Sequence, residues 1–181
     1  GVTFYNFLEE HQDVRTVITN ADWNLMSATS GLRLGNGGTE ADVALGAHAK
    51  VETRIVQFLP KAGNSARLAL EEGSTLTLTT NESGVVVGFY LADTYQRDAS
   101  LHLNGGTLKA GSDWGIQYKR RDSGNTMAYP PYWGVDVVVG SHGSESTIDM
   151  NGHDVNFTAG LRGLGDLAVT GDGNLRGGLY V

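Results

Sequence analysis

A chain of 181 residues with 40% apolar content is long enough for one domain with its own core, and its patterning excludes wholesale disorder. The formal charge is −7 and the basic residues are scattered apart from Lys119-Arg120-Arg121, so the basic face that a nucleic-acid partner requires is missing. There are 26 glycines but only three prolines and no Gly-X-Y period, which excludes collagen and predicts many turns, while the absence of cysteine excludes disulfides and thiolate metal sites.

The first thirty residues differ from the rest. Val2-Thr-Phe4-Tyr-Asn-Phe7-Leu8 is aromatic and Glu9 to Asp13 is polar, and Val14-Arg-Thr-Val17-Ile18-Thr and Trp23-Asn-Leu25-Met26 then read as strands. A bulky end segment of this kind predicts a cap or edge coil over residues 1–30. From Gly31 a strand-and-turn grammar takes over, beginning with Leu32-Arg-Leu34 ahead of Gly35-Asn36-Gly37-Gly38. That turn lacks the further glycine and the stacked second copy of a calcium-binding Gly-Gly-x-Gly-x-Asp repeat, so no metal is expected there. Residues 51–58 read as strand, which leaves the chain all-β.

A degenerate unit then recurs, apolar-x-apolar followed by a glycine-bearing turn and a second short β-rich run. It is foreshadowed at Val43-Ala-Leu45-Gly46-Ala-His-Ala49-Lys-Val51 and clear at Leu68-Ala-Leu70-Glu-Glu-Gly73-Ser-Thr75-Leu76-Thr-Leu78 and Leu101-His-Leu103-Asn-Gly105-Gly106-Thr107-Leu108. It returns at Ile148-Asp-Met150-Asn-Gly152-His-Asp-Val155-Asn-Phe157 and Leu167-Ala-Val169-Thr-Gly171-Asp-Gly173-Asn-Leu175. Alternate residues are apolar, so one face of each short strand looks inward. A unit that cannot bury that face alone must stack on its neighbours, which predicts a β-solenoid.

Corresponding apolar positions are spaced 33 residues from Leu68 to Leu101, 47 from Leu101 to Ile148 and 19 from Ile148 to Leu167. A coil of roughly 20 to 25 residues makes the longer intervals hold an extra coil or an insertion. About seven coils at a strand spacing of about 4.8 Å give a rod on the order of 35 Å long. The whole of 1–181 is read as one solenoid segment, with residues 117–134 as the best insertion candidate.

That insertion holds the candidate ligand or partner residues Tyr118, Lys119, Arg120, Arg121, Tyr129, Tyr132 and Trp133, and its Pro130 and Pro131 do not suit a central strand. Aromatic faces and guanidinium forks suit sugar rings, anionic glycans or a protein partner. The competing reading folds these aromatics back to cover the side of the solenoid. Tyr95 and Trp114 are further members of such a patch, with local packing the simpler role for Trp114.

Elsewhere the chemistry is sparse. His11, His48, His102, His142 and His153 show no metal-ligand spacing, and Ser141, His142 and Ser144 lack a Gly-x-Ser-x-Gly elbow. Asp93, Asp98, Asp113, Asp122, Asp136 and Asp149 form no local pair and suit turns. The Asn-Gly steps at Asn36, Asn104 and Asn151 are turn formers, with stacked asparagines a source of hydrogen bonds between coils. No catalytic residue, cofactor or metal is expected.

The segment Val137-Val-Val-Gly140, Asp149-Met-Asn151-Gly152, Leu161-Arg-Gly163-Leu-Gly165-Asp-Leu167 and Thr170-Gly171-Asp-Gly173-Asn-Leu175 resembles the autotransporter-associated β-strand repeat. The match is good over 137–175, looser over 101–112 and nearly absent over 1–60. The resemblance implies a right-handed parallel β-helix, secretion, and exposure at or beyond a bacterial outer surface. It implies no reaction and carries over no catalytic residue.

The expectation is therefore a non-enzymatic extracellular stalk or adhesin-like segment of a bacterial surface protein, displaying loops to a glycan or to a host or cell-surface protein. The alternatives are a carbohydrate-active β-helix enzyme and a dedicated glycan-binding module. No apolar run reaches the roughly 18 residues of a membrane-spanning helix. A start at Gly1 and an end at a strand only beginning at Leu179 predict a piece of a longer polypeptide, whose open coil ends are able to self-associate.

Overall fold

The computed structural model describes residues 2–4, 15–26, 31–35, 40–59, 64–83, 87–92, 98–119, 135–140 and 144–180. Among them there is no helix, and the strands wind as successive coils. The stack opens with β1 (Val2–Phe4). One coil comprises β2 (Arg15–Ile18), β3 (Asp22–Leu25) and β4 (Leu32–Leu34), and the next β5 (Ala41–Leu45), β6 (Lys50–Thr53) and β7 (Ile55–Phe58). Then come β8 (Ser65–Glu71), β9 (Thr75–Leu78) and β10 (Gly88–Ala92), followed by β11 (Asp98–Asn104), β12 (Thr107–Ala110) and β13 (Trp114–Lys119). The last coils comprise β14 (Asp136–Val139), β15 (Ser146–Asp149), β16 (Val155–Gly163), β17 (Leu167–Thr170) and β18 (Leu175–Tyr180).

Every named strand pair is parallel, and the strands sort into three faces. The first runs β2-β5-β8-β11-β14-β16, the second β3-β6-β9-β12-β15-β17, and the third β1-β4-β7-β10-β13-β16. Strand β16 belongs to two faces because it passes round a corner: Val155 pairs with Trp114 on the third face, and Leu161 with Val137 on the first. Strand β18 repeats this, Val155 pairing with Leu175 and Leu161 with Leu179. The chain is a parallel β-solenoid.

The core is a bundle of in-register apolar rows. On the first face Val43, Leu68, Leu101, Val137 and Leu161 are aligned from coil to coil, and on the second Val51, Leu76, Leu108 and Ile148. All are buried, Leu101 and Ile148 with no exposed surface. Full burial of a side chain of this size contributes roughly 1.5–3 kcal/mol, so the rows supply the main drive for stacking. The third face adds an aromatic column. Phe58 and Phe89 lie 6.3 Å apart, and Trp114 meets Phe89 and Phe157 edge-on at 5.3 and 5.2 Å. Trp114 thus packs inside the solenoid, in the simpler of its two expected roles.

The pairing differs from the sequence reading at several points. Leu101 and Ile148 are not equivalent: Leu101 is opposite Val137 on the first face, whereas Ile148 is opposite Leu108 on the second. Likewise Leu167 is opposite Ser146, and Val169 is the partner of Ile148. The interval from Leu68 to Leu101 contains no extra coil, since those two residues pair directly. Residues 51–58 are not one strand but β6 and β7, separated by a corner at Arg54 where the buried Thr53 hydroxyl donates to the Ile55 carbonyl at 3.1 Å.

The turn asparagines differ from the stacked arrangement, and the N-terminal end takes one of its two expected forms. Asn104 and Asn151 form no ladder with one another: Asn104 Nδ2 donates to Glu71 Oε1 at 3.2 Å, and Asn151 Nδ2 to the Ala110 carbonyl at 3.0 Å, at different corners. Asn36 lies outside the described residues. The cap or edge coil expected over 1–30 is an edge coil as far as it is described, because β1 pairs with β4, β2 with β5 and β3 with β6.

Candidate functional site

The three corners differ in how much chain they hold. Between the first and second faces the connections are short, down to Gly105 and Gly106 between β11 and β12. Between the second and third faces they range from the single residue Arg54 to residues 79–87. The corner leading from the third face to the first holds residues 5–14, 35–40, 59–64, 93–97 and 120–135, the last being sixteen residues long. At the C-terminal end that corner holds no connection, because β16 runs through it. Backbone pairing between coils fixes the strands, so extra length is tolerated wherever it leaves the stack without breaking a pair.

The insertion predicted over 117–134 starts later than expected. Residues 117–119 are still β13, with Tyr118 in register with Leu91 and Lys119 with Ala92. Arg120, Arg121, Tyr129, Tyr132 and Trp133 fall outside the described residues, as do Tyr95, His11 and His142. What the fold contributes is the anchoring of 120–135 between Lys119 on the third face and Asp136 on the first.

Beside that corner, the outer surface of the first face carries a row of charges that sequence spacing did not reveal. Arg15, Asp42, Arg67, Ser100 and Asp136 are aligned in successive coils. Arg15 Nε lies 3.9 Å from Asp42 Oδ1, Arg67 Nη1 4.0 Å from Asp42 Oδ2, and Arg162 Nη2 donates to Asp136 Oδ2 at 2.6 Å. Arg15 also pairs with Glu71, which accepts from Asn104 as well. Charges that close on one another along the stack make a zip between coils. Exposed pairs of this type contribute about 0–1 kcal/mol each, less at high salt.

His102 sits half-buried within this canopy, its Nε2 3.1 Å from Ser100 Oγ. Burial, reinforced by Arg67, Arg162 and Arg15 against the opposing pull of Asp42, lowers its pKa to about 4. The ring is neutral near pH 7. Asp42 and Asp136 are three coil steps apart, roughly 14 Å at the strand spacing, beyond the reach of a paired-carboxylate hydrolysis. Asp149 lies on the second face, paired with Lys109 at 3.4 Å. Asp113 lies at the corner before β13. Among the described residues no group of histidine, aspartate and glutamate is arranged to hold a metal ion.

The corner between the second and third faces has its own relay. Asp113 Oδ1 accepts the Asp154 amide at 2.9 Å and lies 3.3 Å from His153 Nδ1, and Asp154 Oδ1 in turn accepts the Asn174 amide at 3.1 Å. These residues stand immediately before Trp114, Val155 and Leu175, which are aligned in successive coils. Asp113 and Asp154 therefore each cap the next coil. The amide of Asp154 holds the Asp113 carboxyl below its ordinary value, with a smaller contribution from His153. His48 occupies an exposed turn with φ of 61° and takes no part.

No family model, curated protein or solved structure matches this chain.

Proposed function

We propose that this chain is an extracellular β-solenoid stalk segment of a bacterial surface protein, and that it presents the connections of one corner to a glycan or to a host or cell-surface protein. The observation that carries the reading is the anchoring of the longest connection, residues 120–135, between β13 and β14 at one corner, while the second face is built from four-residue strands throughout. A stalk needs a regular, self-satisfied stack, and recognition needs chain that the stack does not constrain. The composition of 120–133, with two arginines, two tyrosines and a tryptophan, suits such recognition. The autotransporter-type motifs of 137–175 support placement at a bacterial surface.

The test is a glycan-array and mucin-binding screen of the chain beside a variant whose residues 120–133 are replaced by a short Gly-Ser linker. Binding by the parent that is lost in the variant is the expected result. Retention by the variant, or no binding by either with folding intact, refutes display by this corner and leaves a passive stalk.

A further inference from the structure

The sequence holds two Asn-x-Ser/Thr tripeptides, Asn81-Glu82-Ser83 and Asn156-Phe157-Thr158, and the fold treats them oppositely. This tripeptide is the acceptor pattern for N-linked glycosylation, and it works on surface chain. Residues 79–87 form the longest connection at the corner between the second and third faces, where the preceding coil turns on Arg54 alone. Its base is pinned. The Thr79 amide donates to the Thr53 carbonyl at 3.0 Å, Thr79 Oγ1 to the Gly111 carbonyl at 3.1 Å, and the Thr80 amide to Ser112 Oγ at 3.2 Å. Beyond it the chain bends, with Thr80 Oγ1 accepting the Glu82 amide at 3.1 Å, and Asn81, Glu82 and Ser83 are all exposed. The Asn81 amide has no hydrogen-bond partner among the described residues.

Asn156 is the counter-case. It lies within β16 between Gly115 and Arg176 on the adjacent strands, and the residue at the centre of its tripeptide, Phe157, is 1% exposed in the core. Pairing on both sides holds Asn156 in the sheet, so a transferase cannot engage the tripeptide unless the strand leaves the sheet. A bend has no such obstacle.

From this contrast we infer that Asn81 is an N-glycan acceptor of the folded protein and that Asn156 is not. The donor is a glycosyl phosphate or pyrophosphate. The Asn81 amide nitrogen forms a bond to the anomeric carbon and gives up one proton, and the bond from that carbon to the phosphate oxygen breaks, the proton ending on the released phosphate. In the cell the inference rests on the extracellular reading above, because the donor must meet an exported chain. In vitro it does not, so the two readings fail separately.

The experiment incubates the folded chain with a purified oligosaccharyltransferase and a lipid-linked oligosaccharide, followed by peptide mapping by mass spectrometry. Occupancy at Asn81 is expected to exceed that at Asn156 by more than about tenfold, since Asn156, although exposed, is paired on both sides and its tripeptide can be engaged only by local opening of the strand. Asn81→Gln and Ser83→Ala abolish the modification, and Asn156→Gln leaves it unchanged. Prior unfolding of the chain brings Asn156 up to comparable occupancy. Absence of glycan at Asn81 in the folded chain, or equal occupancy of the two sites there, overturns the inference.

Discussion

Replacing Gly88 by alanine tests how closely successive coils are packed. Gly88 opens β10 with φ of 137°, and a Cβ there would lie 2.1 Å from the Gly115 carbonyl oxygen in the next coil. Backbone strain in that region costs about 1–3 kcal/mol. Displacing β13 forfeits at least one ladder hydrogen bond, a further 0.5–1.5 kcal/mol, or about 1.5–4.5 kcal/mol in all. Two other glycines separate the contributions. Gly152 has φ of 84° but nothing within 4 Å of its would-be Cβ, so Gly152→Ala carries the conformational penalty alone, about 1 kcal/mol. Gly115 has neither problem, its nearest contact being an ordinary 3.4 Å, and Gly115→Ala is expected to be neutral or to stabilise by about 0.4–1 kcal/mol through the unfolded chain. Urea unfolding followed by tryptophan fluorescence and far-UV circular dichroism ranks the three. Hydrogen exchange on residues 114–119 locates the damage. Equal destabilisation by Gly88→Ala and Gly152→Ala would refute the close approach of β10 to β13.

Two further predictions concern the core and pH. Leu103→Asp and Ile148→Asp place an unpaired charge at fully buried positions and are expected to cost about 3–5 kcal/mol, abolishing the normal thermal transition, whereas the outward Thr77→Asp stays within about 0.5 kcal/mol. Unchanged melting in either core variant contradicts the inward rows. Acid should weaken the fold in two steps. The folded His102 pKa of about 4 lies below its ordinary 6.5, so the unfolded chain binds the extra proton between those values. This contribution is complete above pH 6.5 and lost as pH falls towards 4. Asp113, held below its ordinary 3.8, contributes stability that is present above that value and lost as pH falls through the folded pKa. Stability measured against pH should lose its upper step in His102→Gln and its lower one in Asp113→Asn, which keeps the acceptor oxygen; identical profiles would dismiss both assignments.

The solenoid was legible in the sequence because alternation and glycine-bearing turns are local signals. Leu68 and Leu101 are even aligned correctly, since both units turn the same corner. Ile148 was misaligned for a physical reason: the corner between β15 and β16 asks for the same apolar-x-apolar strand and Asn-Gly turn as the corner between β11 and β12, so the two are indistinguishable until coil length is known. The charge row was hidden by the same irregularity. Arg15, Asp42, Arg67 and Asp136 fall into line only through coils of unequal length, set by connections that carry no periodic signal. Trp114, by contrast, announces only its bulk, and its place against Phe89 and Phe157 comes from tertiary packing.

The unequal connections also decide how the display reading is to be judged. Closing sixteen residues between β13 and β14 rather than the six between β7 and β8 costs only about 0.9 kcal/mol of loop entropy, small against the burial gained by each coil. A solenoid therefore accommodates a long connection at little energetic cost, and the identity of residues 120–133 is free to serve recognition. It follows that replacing them with a short linker should leave the stability of the stack unchanged or slightly raised. A loss of several kcal/mol in that variant would mean instead that Tyr129, Tyr132 and Trp133 cover the side of the solenoid. Stability and binding measured on the same variant thus separate the two roles: lost binding on an intact stack marks a display site, and lost stability marks a structural cover whose effect on binding is indirect.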